Sequence, residues 1–315
     1  MRLATLRDGS PDGRLVVVSP DGARCAAAPV ATLQSALEDW ARWAPVLGAV
    51  SAFSDVLEGT RLGAPLPRAW QWLDGSAYES HGALMAKVFN RKDEPREQPL
   101  MYQGLSDRFY GPNDDVPFTD EALGIDFEGE FGVITDAAPM GTSAEQAFAH
   151  IRLLVQVNDW SLRTLAPIEM KTGFGWIQAK PACSMAPFAI TPDELGDRWH
   201  KGRVGLDLHV DWNGQRFGQP NGQPMGFGFH ELVAHAARTR DLVAGTVIGS
   251  GTVSNENYRE VGSSCIAERR GIELLDTGAA ATQYMRFGDR VRMAAMDPSG
   301  RMPFGAIEQR VVKRG

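Results

Sequence analysis

Apolar and polar residues alternate with a period of two in IDFEGEFGVIT (125–135), RLLVQVNDW (152–160), VGLDLHVDWNGQRFG (204–218), TVIGSGTVS (246–254) and DRVRMAAMD (289–297), or are β-branched there. Each stretch is bounded mostly by Gly, Asn or Asp, and this combination predicts strands. Near the start, the run LVVVS lies between two SPDG turns at 10–13 and 19–22, a hairpin-like signal. The pattern then changes period. Leu33, Leu37, Trp40 and Trp43 recur at helical spacing from Thr32, and Pro45 is expected to end that helix. Two further helices are predicted, one opening with the capping-box pattern TSAE at 142–145 and running toward His150, the other over FHELVAHAART.

The stretch GTRLGAPLPRAWQ has no periodicity and carries Gly and Pro twice each, which places a boundary near residue 65. The expectation is a small β-rich domain over 1–65 and a larger one over 66–315. Strands outnumber helices without a regular βαβ alternation, so the predicted class is α+β, mainly β, with a rolled or sandwiched sheet.

Within the first strand block, Asp126, Glu128 and Glu130 occupy every second position and share one face of an unbroken strand. Neighbouring carboxylates ~6.5 Å apart repel by roughly 2.5 kcal/mol at an effective dielectric of ~20. From the stripe alone, a solvated strand edge is the expected reading. Two other acids stand in similar surroundings: Asp159 at the end of RLLVQVNDW, and Asp74 after Trp72 and Leu73 in QWLDGSAYESH, seven residues before His81. Each has an ordinary turn or strand-end explanation. Four oxygen donors from such a set, without Cys or paired His, would suit a hard divalent ion rather than zinc.

Other motifs carry less. The histidines of HELVAH (230–235) are five apart, about 140° round a helix, so they cannot chelate one ion as an i, i+4 pair does. GSGTVS and GFGWIQ lack the third glycine and the βαβ context of a dinucleotide fingerprint and read as tight turns. Cys265 beside Ile266 reads as buried packing, with a nucleophile as the alternative.

Composition narrows the class of protein. The chain has 315 residues, 43% hydrophobic, and a net charge of −7 without a Lys/Arg block, so a nucleic-acid surface is not expected. The apolar run at 43–53 is too short to span a bilayer, no signal-peptide pattern opens the sequence, and three isolated cysteines fit a reducing compartment; the expected location is cytoplasmic.

DGSAYESH, DFEGEFGV, QVNDWSLR, QAKPACSMAPFAITPDELG and GSGTVSNEN…GSSCIAERR, in this order, resemble the fumarylacetoacetate hydrolase family over roughly residues 70–310. The resemblance implies a mixed β-sandwich roll preceded by a small N-terminal domain, a homodimer, and a divalent metal, with Mg²⁺ expected first and Mn²⁺ or Ca²⁺ as alternatives. It implies Asp74, Glu128, Glu130 and Asp159 as metal ligands, with Asp126 capping or tuning the site. His81 is implied as general base, with Glu268 as its partner on a spacing shifted by about two residues. Lys180 and Arg163 match the family's cationic residues and would stabilise an oxyanion or grip a substrate carboxylate; Tyr102 and Thr252 resemble substrate-contacting positions. The chain departs from the animal enzymes at Ala166, where they have glutamine, and at Ser76, where they have tyrosine.

The implied activity is hydrolysis of a C–C bond in a small 2,4-diketo acid, first of all fumarylacetoacetate in aromatic amino-acid catabolism. The alternatives are an acylpyruvate or fumarylpyruvate hydrolase, a hydratase or decarboxylase of 2-oxo acids, and a catalytically silent, metal-stabilised binding protein.

Overall fold

The computed structural model describes residues 1–88, 90 and 97–315. Two sheets dominate it. In the larger one the strands run in the order Asp55–Val56, Arg24–Ala27, Arg14–Val18, Arg2–Leu6, Ala189–Ile190, Ile151–Asn158, Gly129–Thr135, Thr246–Gly249, Gln71–Gly75 and Met101–Gly104, with Ser184–Met185 pairing off this path. The N-terminal strands are therefore continuous with the rest of the sheet, through Arg2 opposite Ile190 and Leu3 opposite Ala189. The second sheet contains Gln215–Gly218, Asp207–Trp212, Arg290–Met296, Ile307–Lys313 and Val116–Phe118. The result is the expected α+β, mainly β roll.

Alternation explains where the core lies. On the central strand, Phe131 and Val133 belong to an apolar cluster that includes Leu208, Met293 and Phe304, whereas Ile134 belongs to a second cluster with Trp72, Leu153, Val155 and Val157. Both faces of this strand are buried, so its acidic positions have no solvent side. The solvated-edge reading of the stripe fails for that reason.

The stripe is also not one continuous strand. Ile125–Asp126 pairs with Ser161–Leu162, while Gly129–Thr135 pairs with Ile151–Asn158 on one side and Thr246–Gly249 on the other. Gly129 sits at the break. A Cβ there would lie 2.8 Å from Leu208 Cδ2 of the second sheet and 3.2 Å from Ser264 Cβ, so no larger residue fits without displacement.

Several local expectations need correction. Asp39 divides the first helical region into Leu33–Glu38 and Trp40–Gly48, and Pro45 lies inside the second instead of ending it. Ala41 and Pro45 are exposed, so the carbonyl that loses its partner faces water. The capping box is formed by Ser143 and Gln146, one residue later than TSAE indicates. Two helices that the apolar pattern does not announce, Glu79–Val88 and Ile266–Thr277, carry His81 and Glu268 respectively. Among the described residues, no helix is long and apolar enough to cross a membrane.

Candidate active site

Register brings three acids to one place. Asp74 lies opposite Gly249 on the parallel neighbour and Tyr102 on the antiparallel one; Glu130 lies opposite Val157, two residues before Asp159. A Cβ on Gly249 would be 2.4 Å from Asp74 Oδ1 and 2.3 Å from the Trp72 ring, so glycine leaves the room that the carboxylate occupies. One oxygen from each of Asp74, Glu130 and Asp159 falls within 4.8 Å of the others, and all three residues are buried.

Their partners differ. Asp74 Oδ1 accepts the Gly251 N–H at 3.0 Å. Asp159 Oδ2 accepts from Tyr102 Oη at 2.6 Å and Lys180 Nζ at 2.5 Å, and Oδ1 accepts the Cys183 thiol at 3.0 Å. Glu130 is 0% exposed, and among the described residues no N–H or hydroxyl donates to either of its oxygens; its carboxyl faces that of Asp74. Burial, followed by the charges of Asp74 and Asp159, holds its carboxyl well above the usual range. Burial and Asp159 do the same to Asp74. A fully buried carboxylate without a donor is costly unless a cation meets it.

Glu128 has the opposite environment. Its Oε1 accepts from Ser161 Oγ at 3.0 Å and from Arg163 Nη2; its Oε2 accepts from Lys180 Nζ at 3.1 Å and Thr252 Oγ1 at 3.0 Å. Burial alone would raise its carboxyl, but Arg163 and Lys180 more than offset this and hold it well below the usual range. Of the four expected ligands, the structure thus groups Asp74, Glu130 and Asp159 and sets Glu128 apart in a cationic clasp. Lys180 bridges the two groups. Burial opposes its charge, yet Asp159 and Glu128 raise its pKa.

Asp126 caps a helix. Its Oδ1 accepts the Ile266 N–H at 2.7 Å, and its Oδ2 accepts the Ala267 N–H at 2.9 Å and Arg163 Nε at 2.7 Å. One carboxylate therefore fixes both the first turn of Ile266–Thr277 and the guanidinium that grips Glu128.

That first turn carries Glu268, which is 0% exposed. Its Oε1 accepts from Ser254 Oγ at 2.5 Å and lies 3.6 Å from His81 Nδ1. The His81 side chain is 23% exposed and stands near enough to Glu128 to act on its carboxyl. Cys265 caps the same helix, its Sγ accepting the Glu268 N–H at 3.3 Å. Burial and Asp126 raise its thiol pKa well above the ordinary value, against a free thiolate nucleophile.

Four contacts escaped the sequence reading: Ser161 on Glu128, Ser254 on Glu268, Cys183 on Asp159, and Glu169 on the loop before Lys180. Glu169 accepts the N–H groups of Ile177 at 3.1 Å, Gln178 at 2.9 Å and Ala179 at 2.9 Å. Trp176, in the same loop, packs edge-on against Tyr102 with centroids 6.0 Å apart. For Ser161, Cys183, Glu169 and Trp176 the signal was proximity to NDW or to Lys180, and for Ser254 its place in GSGTVSNEN. HELVAH is an ordinary helix, with His230 stacked on Phe148 at 4.2 Å.

The profile described as fumarylacetoacetate (FAA) hydrolase C-terminal matches residues 71–312, and that described as fumarylacetoacetase N-terminal domain 2 matches 1–68. The chain belongs to the fumarylacetoacetate hydrolase family. It is 28% identical over 181 residues to a 2,4-didehydro-3-deoxy-L-rhamnonate hydrolase from Sphingomonas sp. (strain SKA58), a match covering 54% of this chain and 61% of that relative. The chain thus matches less than two thirds of that relative's own length. Maleylpyruvate hydrolase from Sphingobium sp. SYK-6, solved with manganese(II) and pyruvate, superposes with a TM-score of 0.69 at 17% identity, covering 100% of both chains. A 5-carboxymethyl-2-hydroxymuconate delta-isomerase from Mycobacterium smegmatis superposes with a TM-score of 0.65 at 19% identity, again covering 100% of both. These superpositions establish the fold; the relatives' names span hydrolases and isomerases.

Proposed function

We propose that this chain is a divalent-metal-dependent hydrolase that cleaves a C–C bond in a β-diketone acid, with fumarylacetoacetate as the first candidate substrate. The observation that carries this reading is the pairing of His81 with buried Glu268 beside a buried three-carboxylate cluster whose Glu130 has no donor.

The donor set fits a hard cation. Among the described residues, the cations paired with Asp126, Glu128 and Asp159 are Lys180 and Arg163, fewer than the five acids Asp74, Asp126, Glu128, Glu130 and Asp159, and Glu130 keeps both oxygens without an N–H or hydroxyl donor. Asp74, Glu130 and Asp159 would hold the ion, and Glu128 would join only by releasing Lys180 or Arg163. The ion supplies Lewis-acid stabilisation of the charge that develops on the diketone oxygens.

His81 then takes a proton from water as the oxygen attacks the carbonyl carbon, and Glu268 stabilises the imidazolium. His81 Nδ1 and Glu268 Oε1 stand 3.6 Å apart. Lys180 and Arg163 stabilise negative charge on the attacked carbonyl oxygen or hold the substrate carboxylate. When the C–C bond breaks, its electron pair leaves with the enolate carbon, which takes up a proton to give the second acid.

An acylpyruvate is the second substrate reading, favoured by the maleylpyruvate hydrolase fold match and by Ala166 and Ser76 where the animal enzymes differ. The test is a spectroscopic screen of fumarylacetoacetate, fumarylpyruvate, acylpyruvates and oxaloacetate with Mg²⁺ or Mn²⁺. Loss of diketone absorbance, reduced ~10²-fold or more in His81→Ala with ion binding retained, supports the reading. Decarboxylation of oxaloacetate alone, unaffected by His81→Ala, would replace it.

A further inference from the structure

Outside the carboxylate triad, a second group of potential ligands converges. A His81 ring nitrogen, Cys265 Sγ and a Glu268 carboxylate oxygen all lie within 4.8 Å of one another. His81 Nδ1 and Glu268 Oε1 are 3.6 Å apart, longer than a good N–H···O bond, and among the described residues neither His81 Nδ1 nor Glu268 Oε2 has a hydrogen-bond partner. Zn–N, Zn–O and Zn–S bonds of about 2.0–2.3 Å in a tetrahedron put ligand atoms roughly 3.3–3.8 Å apart. The spacing of imidazole and carboxylate leaves room for a shared ion.

We infer that His81, Cys265 and Glu268 form a second metal site, selective for a borderline-soft ion such as Zn²⁺, whose fourth position is left to water. Ligand chemistry separates it from the first. Asp74, Glu130 and Asp159 present only oxygen, which suits Mg²⁺ or Mn²⁺, whereas one thiolate, one imidazole and one carboxylate suit Zn²⁺ or Co²⁺. Cys265 and Glu268 are buried, while His81 is 23% exposed and supplies the route of entry. The Glu268 N–H to Cys265 Sγ and the Ser254 hydroxyl to Glu268 Oε1 hold two of the ligands in place. Binding displaces the Cys265 thiol proton to solvent. The site stands without the hydrolase reading, but its consequence rests on that reading: an ion on His81 and Glu268 withdraws the base, so zinc inhibits.

The test uses the full chain, chelated and then saturated with Mn²⁺, and titrates in Co²⁺. A near-ultraviolet thiolate-to-cobalt charge-transfer band is expected in the wild type, in Cys183→Ser and in Glu130→Gln, is absent in Cys265→Ser, and is bleached by Zn²⁺. His81→Ala should weaken cobalt binding by tenfold or more, which covers the case of a poorly folded Cys265→Ser. Zinc inhibition should require at least tenfold more Zn²⁺ in Cys265→Ser. No band in the wild type, a band that survives Cys265→Ser, or unchanged affinity in His81→Ala would overturn the site. Because Glu130→Gln keeps the band, failure of the carboxylate triad and failure of this site give different results.

Discussion

Glu130→Gln is nearly isosteric and removes one charge from the buried triad. Glu130 lies within 4.8 Å of both Asp74 and Asp159 through their nearest oxygens. At that distance and an effective dielectric of ~20, each repulsion between ionised groups is roughly 3.5 kcal/mol. With all three ionised, two such repulsions disappear and an attraction to Lys180 is lost, so the relief in metal-free protein is at most about 2–4 kcal/mol, and protonation of the raised carboxyls reduces it. The sign follows from the direction of the shift. A carboxyl whose folded pKa is raised contributes most stability below its unfolded value of ~4.3, and loses that contribution as pH rises toward the folded value. Metal-free wild type should therefore weaken between mildly acidic and neutral pH, and Glu130→Gln should weaken less. Manganese offsets the difference: at a free ion concentration 100 times its dissociation constant it adds about 2.7 kcal/mol to the wild type and little to the variant. Thermal unfolding in chelator and in Mn²⁺ at neutral pH reads all four states. A variant less stable than wild type in chelator, yet stabilised equally by Mn²⁺, would refute the reasoning.

Asp126→Asn should cost about 3 kcal/mol in urea unfolding with Mn²⁺ present, since it breaks a buried ion pair with Arg163 and weakens the cap on Ile266–Thr277; a loss under ~1 kcal/mol would contradict the dual role. Glu169→Ala should speed tryptic cleavage after the already exposed Lys171 and raise KM, because the three N–H bonds that fix the loop before Lys180 are gone. Those N–H donors, led by Gln178, lower the Glu169 pKa, so the wild-type loop stays anchored above the ordinary carboxylate value and loosens only as pH falls through the depressed one. Lys180→Met should lower kcat by ~10² or more while leaving the fold intact. Equal kcat would leave Lys180 a purely structural partner of Asp159 and Glu128.

The ordered motifs made the family legible, and strand alternation made the roll legible, because both depend on local sequence. What alternation could not show is that the strand breaks between Asp126 and Gly129. The three acids that seemed equivalent then diverge: Asp126 caps a helix, Glu128 is clasped by two cations, and Glu130 is left without a donor. Burial on both faces was equally hidden, since it depends on a second sheet distant in sequence. The loose spacing around Glu268 was a helix problem. Cys265 and Asp126 set where that helix begins, and its first turn carries Glu268 toward His81.

The central proposal is that C–C cleavage requires an ion held by Asp74, Glu130 and Asp159. Its most direct test is the initial rate of diketone absorbance loss as Mn²⁺ is titrated into exhaustively chelated protein. The predicted result is a rate that rises from background, saturates with one equivalent of Mn²⁺, and stays at background in Glu130→Gln. A full rate in the chelated protein, unchanged by added Mn²⁺, would contradict it.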